Sequence, residues 1–171
     1  KQTSVKASGP FPFNVSTTSI ISNEFPIDDS NSIGLFLKTA GDLERVGDHA
    51  VNIAERAEKL YSEDEHFSDE AMREIKIMND LTRNILEELN VLNRDELHNI
   101  VEKVDVIEDS IDITTHEFSL NQLRRLRDKK CTPEHSALYT ETLIDFERIG
   151  DHGLNIAVAF DEIKDDLTEM A

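Results

Sequence analysis

Three observations predict an all-α protein, an antiparallel bundle of four long helices. Apolar residues recur three and four apart over long stretches, the period of a helix with one buried face. The connections between these stretches are short, as in up-down bundles. No stretch shows the period-two alternation and β-branched enrichment of a strand. The 171 residues suffice for one domain with a substantial core.

Residues 1–29 hold Gly9, Pro10, Pro12 and a Ser/Thr-rich run without periodicity, and read as an N-terminal linker or arm. The bundle domain then spans 30–168. The chain opens on Lys1, so the expectation is a piece of a longer protein with sequence upstream.

The first helix is expected over about 30–61. Phe36, Ala40, Leu43, Gly47, Ala50, Ala54 and Ala57 form its expected seam toward the bundle, with small residues that would allow close approach. An acidic loop follows, and Ser68 before Asp69 and Glu70 is a good N-cap with an acidic first turn. The second helix should run to about 93, with Ala71, Ile75, Met78, Leu81, Ile85, Leu89 and Leu92 as its apolar stripe. After a break at Asn93–Arg94, a third helix is expected over 95–128, with Leu97, Val101, Val104, Ile107, Ile111, Phe118 and Leu123 inward. Thr132-Pro133 places a cap and a first-position proline before a fourth helix over 133–167.

Acidic residues outnumber basic ones 36 to 18, for a net charge of −18. This balance argues against nucleic-acid and anionic-membrane partners, which require basic patches, and suits cations. Cys131 stands alone, which excludes an internal disulfide and suggests a reducing, cytoplasmic setting. No apolar run is long enough to span a bilayer and no signal peptide is evident, so direct membrane insertion of this segment is not expected.

The chain contains one phrase twice. Residues 42–54, DLERVGDHAVNIA, return as 145–157, DFERIGDHGLNIA, with nine of thirteen positions identical at an offset of 103. Each copy places Glu, Asp and Asn at i, i+4 and i+8 (Glu44, Asp48, Asn52; Glu147, Asp151, Asn155), one stripe along a helix. Carboxylates at i, i+4 repel, and a mid-helix glycine (Gly47, Gly150) costs roughly 1 kcal/mol against alanine. A bound cation would turn the repulsion into attraction.

The third helix carries another such pair, Glu108 and Asp112, and an up-down arrangement sets Asp112 nearly level with Asp151. The four carboxylates Glu108, Asp112, Glu147 and Asp151 would then form a box suited to Mg²⁺, Mn²⁺ or iron, with the asparagines as neutral ligands or supporting hydrogen bonders. His49 and His152 follow the central aspartates by one position and read as packing or surface residues. Arg45 and Arg148 are expected to pair with carboxylates across helices. A di-iron oxidase would need Glu-x-x-His on two bundle helices, and the only match, Glu63 to His66, falls in the expected loop. No phosphate-binding glycine loop, nucleophile elbow or zinc spacing occurs, so a non-enzymatic role is expected. A metal-free interaction module, with Gly47 and Gly150 serving close packing, is the alternative reading of the residues.

The phrases LERVGDHAVNIAE (43–55) and FERIGDHGLNIA (146–157) closely resemble the signature of the PhoU family of phosphate-transport regulators. The second and third helices resemble the opening of the family's second repeat, so the resemblance covers about 30–167. It implies one complete three-helix repeat plus the last helix of the preceding repeat, whose first two helices residues 1–25 cannot supply. The Cys131-Thr132-Pro133-Glu134 turn and Phe146-Glu147-Arg148 look most like the cytosolic PhoU-type domain of bacterial sodium/phosphate cotransporters. A stand-alone regulator of an ABC-type phosphate transporter is the other form the resemblance allows. It implies metal clusters, iron or zinc, held by Glu44 and Asp48 and by Glu147 and Asp151, with Asp42, Asp145, Asn52, Asn155, Glu108 and Asp112 as further candidates. The implied partner is a phosphate transporter, in cis or in trans, at the inner face of the membrane, and a homo-oligomer is compatible with it.

Overall fold

The structure, a computed structural model, describes the backbone of residues 30–90, 97 and 99–169 and the side chains of 33–90, 97 and 99–162. Its elements are α1 (Ser30–Ser62), α2 (Asp69–Glu88), α3 (Ile100–Arg127) and α4 (Pro133–Glu169), with no strand among the described residues. The expected caps are in place. Ser68 Oγ accepts from the Ala71 amide at 3.3 Å, and Thr132 Oγ1 accepts from the His135 amide at 3.1 Å ahead of Pro133. Two boundaries differ from expectation. Helix α2 stops at Glu88 with Leu89 as its C-cap, and α3 starts only at Ile100, after Asn99 in the left-handed region (φ 60°). Leu92 and the break at 93–95 lie outside the described residues.

Helix α3 ends in a Schellman motif. The Lys129 amide bonds Leu126 O at 3.1 Å, the Lys130 amide bonds Arg125 O at 2.8 Å, and Lys129 takes φ 57°, the left-handed position usually given to glycine.

Helices α2, α3 and α4 pack pairwise, with the broadest interface between α3 and α4. Met78, Ile85, Ile100, Val104, Ile111, Tyr139, Leu143 and Ile156 are fully buried between them, each aliphatic side chain contributing about 1.5–3 kcal/mol. Lys103 reaches Glu88 at one end and Arg125 reaches Glu74 at the other, which makes α2 and α3 antiparallel. Two glycines let α4 approach its neighbours. A Cβ on Gly153 would lie 2.4 Å from Ile85 Cγ2, and one on Gly150 would lie 3.2 Å from Ile111 Cδ1. Leu123, expected inward, is exposed. The inward residues of its turn are Gln122 and Arg125; Gln122 bonds Cys131 and Arg125, and Arg125 bonds Glu74 through Nη2.

Helix α1 meets the rest of the bundle on a face one residue out of phase with the expected seam. The covered positions are Leu35, Thr39, Asp42, Val46, His49, Ile53, Arg56 and Leu60, whereas Phe36, Ala40, Leu43, Gly47, Ala50, Ala54 and Ala57 are exposed. One residue is 100° of rotation on a helix. The reason is chemical: the packed face is half polar and the solvent-facing one is apolar, so hydrophobic periodicity selects the wrong side. In α4 the positions 103 further on, Tyr139, Leu143, Phe146, Gly150, Gly153 and Ala157, are all buried. The same stripe thus serves as core in one copy and as surface in the other.

Candidate metal centre

The two copies of the repeated phrase grip each other reciprocally. His49 Nδ1 lies 2.6 Å from Asp145 Oδ1 and His152 Nδ1 lies 2.9 Å from Asp42 Oδ1. Each aspartate opens its own copy, so the offset of 103 maps one pair onto the other about a pseudo-two-fold axis. The two imidazoles stack at 5.8 Å between centroids, and the pairing runs α1 antiparallel to α4. Arg56 breaks the symmetry by donating to Asp145 Oδ2 and to Glu141 Oε2 at 3.2 Å, while its counterpart in α4 is the buried Ala159. Burial alone would raise the Asp145 carboxyl, but hydrogen bonds from His49, Arg56 and Asn52 outweigh it and hold Asp145 below the usual carboxylate range. The structure therefore commits Asp42 and Asp145 to this clasp and brings neither into the carboxylate group. Asn52 joins the clasp, 3.4 Å from Asp145.

One face away, α3 and α4 assemble the carboxylates. Glu108, Asp112 and Asp151 each offer an oxygen, and the three oxygens lie within 4.8 Å of one another. Gly150 keeps this approach open, since a Cβ there would touch Ile111 and Glu108. Burial, and then the like charges of Asp112, Asp151 and Asp109, push the Glu108 carboxyl up to about 7. Glu147 at the rim is raised by burial and by Asp112 and Asp151, with Arg148 offsetting part of it. Arg148 donates to Asp151 at 3.0 Å within its own helix, not across helices as expected. A half-buried group of anions with a single arginine at its edge is short of positive charge. Its all-oxygen donor set fits a hard or borderline cation.

The first copy builds no such group among the described residues. Glu44 and Asp48 sit exposed on α1, with no third carboxylate brought beside them, and a Cβ on Gly47 would meet nothing within 4 Å. Asn155 is exposed as well. Sequence reasoning missed Arg56 as the reinforcing member of the clasp. Its signal was there: an arginine whose counterpart in an otherwise matched repeat is an alanine.

Fold and site together define a repeat-built helical module, two signature helices clasped antiparallel with a carboxylate cluster beside the second. Comparison with known proteins agrees. The family profile described as "PhoU domain" matches residues 14–57, starting inside the segment expected to be a linker. A phosphate-specific transport system accessory protein, PhoU homolog 1 of Thermotoga maritima, is 28% identical over 120 residues, covering 70% of this chain and 51% of that protein. No solved structure matches. The chain is thus similar to PhoU-domain proteins and spans about half the length of the curated relative it matches.

Proposed function

We propose that this chain is a metal-binding regulatory module of phosphate uptake, acting by contact with a phosphate transporter rather than by catalysis. The observation that carries the metal half is the Glu108–Asp112–Asp151 cluster, where burial and then the neighbouring anions raise Glu108 to about 7. Iron, zinc, manganese or magnesium would occupy it, with Glu147 completing the shell. The phosphate-uptake half draws support from the family match and from the relative, a phosphate-specific transport accessory protein. In its finer form the reading is a cytosolic domain of a sodium-dependent phosphate transporter. No described helix is long and apolar enough to cross a membrane, so the membrane part would belong to another segment or another chain.

Elemental analysis of protein purified without chelator tests the site. About one metal ion or more per chain is expected, removed by EDTA and lost in Asp151→Asn but retained in Glu44→Gln. Metal content unchanged in Asp151→Asn overturns the site, and saturable metal-dependent hydrolysis of a phosphate ester overturns the regulatory reading. A metal-free interaction module is the second reading, favoured by the apolar stripe that α1 turns to solvent. It is selected if no metal binds even after reloading.

A further inference from the structure

The end of the bundle where α2 and α4 begin and α3 stops carries a second polar site, unrelated to the carboxylate cluster. A cavity of about 190 Å³ opens there, lined among others by His66, Ser68, Gln122, Arg125, Lys130 and His135. Its centre of interest is Arg125, whose side chain is only 5% exposed. Two of the three guanidinium nitrogens are committed. Nε donates to Gln122 Oε1 at 2.8 Å and Nη2 donates to Glu74 Oε2 at 2.6 Å. Glu74 also accepts from Tyr139 and from Asn121 at 2.8 Å, and the guanidinium lies over the Tyr139 ring, 4.9 Å from its centroid. This network locks the arginine in one orientation. Its Nη1 is buried and has no hydrogen-bond partner. A carboxylate oxygen of the half-exposed Glu70 is 3.7 Å away, within ion-pair range but beyond hydrogen-bond reach.

A buried guanidinium N–H without an acceptor is costly, and the surroundings indicate which acceptor is missing. The positive ends of two helix dipoles meet here, with Ser68 capping α2 and His135 in the first turn of α4. Lys130 stands exposed at the mouth with no ion pair among the described residues, held there by its amide bond to Arg125 O. His135 is a further donor, although Glu65 approaches its Nε2 at 2.5 Å. The donors are one guanidinium nitrogen, an ammonium, imidazoles and a hydroxyl, which suit an anion and not a cation. The volume lies below the roughly 300–1,000 Å³ of clefts for drug-sized ligands. In a chain of net charge −18, a local concentration of donors of this kind is the exception.

We infer that this cavity binds a small oxyanion of phosphate or sulfate size, held by Arg125 Nη1 and Lys130. The inference does not rest on the metal reading, since Arg125 is about 20 Å along α3 from Asp112.

Calorimetric titration of the full chain with inorganic phosphate and, separately, with sulfate tests it, in EDTA at low ionic strength. Saturable binding of one anion per chain is expected. Arg125→Lys keeps a charge opposite Glu74 but loses the Nη1 donor, and should weaken binding at least tenfold. Lys130→Ala should weaken it several-fold, and Glu70→Gln, which removes the competing carboxylate, should tighten it. Arg127→Ala, paired with Asp128 outside the cavity, should leave it unchanged. Lys130 and Glu70 are exposed, so these two variants remain informative if Arg125→Lys fails to fold. No saturable binding of either anion overturns the inference, as does weakening in Arg127→Ala equal to that in Lys130→Ala. Binding seen only without EDTA assigns the anion to a metal ion, overturning this site while leaving the carboxylate cluster intact.

Discussion

Replacing Glu108 with glutamine should make the metal-free protein more stable at pH 8 while abolishing its stabilisation by metal. A carboxyl whose folded-state pKa lies above its unfolded value contributes stability below the unfolded value and loses it as pH rises through the folded one. Glu108 stands at about 7 against an ordinary 4.5, first through burial and then through Asp112 and Asp151. At 1.36 kcal/mol per pH unit the ionised form costs up to about 3.4 kcal/mol above pH 7. Glu108 keeps part of its surface in water, and screening reduces this to about 1–2 kcal/mol. Glutamine has the same shape and can still donate to Asp151, but never ionises. In EDTA at pH 8, Glu108→Gln should therefore raise the urea midpoint by about 0.5–1 M for a protein of this size. At pH 4.5 the two proteins should unfold together. With saturating metal the order should invert, because binding stabilises only the protein that keeps its ligands. If Glu108→Gln in EDTA is no more stable than wild type at pH 8, the crowding of carboxylates that motivates the metal site is refuted.

Four other substitutions follow from the packing and the backbone. Gly153→Ala places a methyl 2.4 Å from the fully buried Ile85 and should cost about 1–3 kcal/mol in chemical unfolding, whereas Gly47→Ala, open on all sides, should gain about 0.5–1 kcal/mol; equal effects would sink the distinction between the two copies. Asp145→Ala leaves His49 without its partner and Arg56 with Glu141 alone, and should cost about 2–3 kcal/mol, with hydrogen exchange rising in α1 first. Because Asp145 is held below the usual range, its contribution is present above the unfolded carboxylate value and lost as pH falls through the folded one, so acid below about pH 4 should release α1 in the same way. Lys129→Gly relieves a left-handed residue at about 1–2 kcal/mol against a backbone entropy cost of about 0.5–1 kcal/mol, and a thermal melt should show a small net gain.

The helices, the Ser68 and Thr132 caps and the meeting of Glu108 and Asp112 with Asp151 were all legible in the sequence. Each rests on local spacing or on the geometry of a short antiparallel turn. The rotation of α1 was not legible, because periodicity reports which side is apolar and not which side is covered. Phe36, Leu43 and Ala50 are apolar and exposed, while Asp42, His49 and Arg56 are polar and packed. The end cluster of Glu74, Arg125 and Tyr139 was equally hidden. An arginine and a glutamate 51 residues apart resemble two surface charges until the fold pairs them.

The repeat allows the functions of its residues to be separated by comparing the two copies. Asp and His of the phrase make equivalent contacts in both places, Asp42 to His152 and Asp145 to His49. Their role is to join the signature helices, and it needs nothing but the other copy. Glu and Asp at the third and seventh positions are surrounded differently. Asp151 lies with Glu108 and Asp112 from α3, whereas Asp48 is exposed. Their chemistry thus depends on a neighbouring helix that supplies further carboxylates, and α3 supplies them for the second copy alone. The glycines follow the same division: Gly150 is pressed against Ile111 and Glu108, and Gly47 against nothing. One phrase therefore contains two separable devices, a clasp between the copies and half of a carboxylate cluster that a neighbouring helix must finish. Mutating the clasp should loosen α1 without changing ion affinity at Asp151, and mutating the cluster should do the reverse.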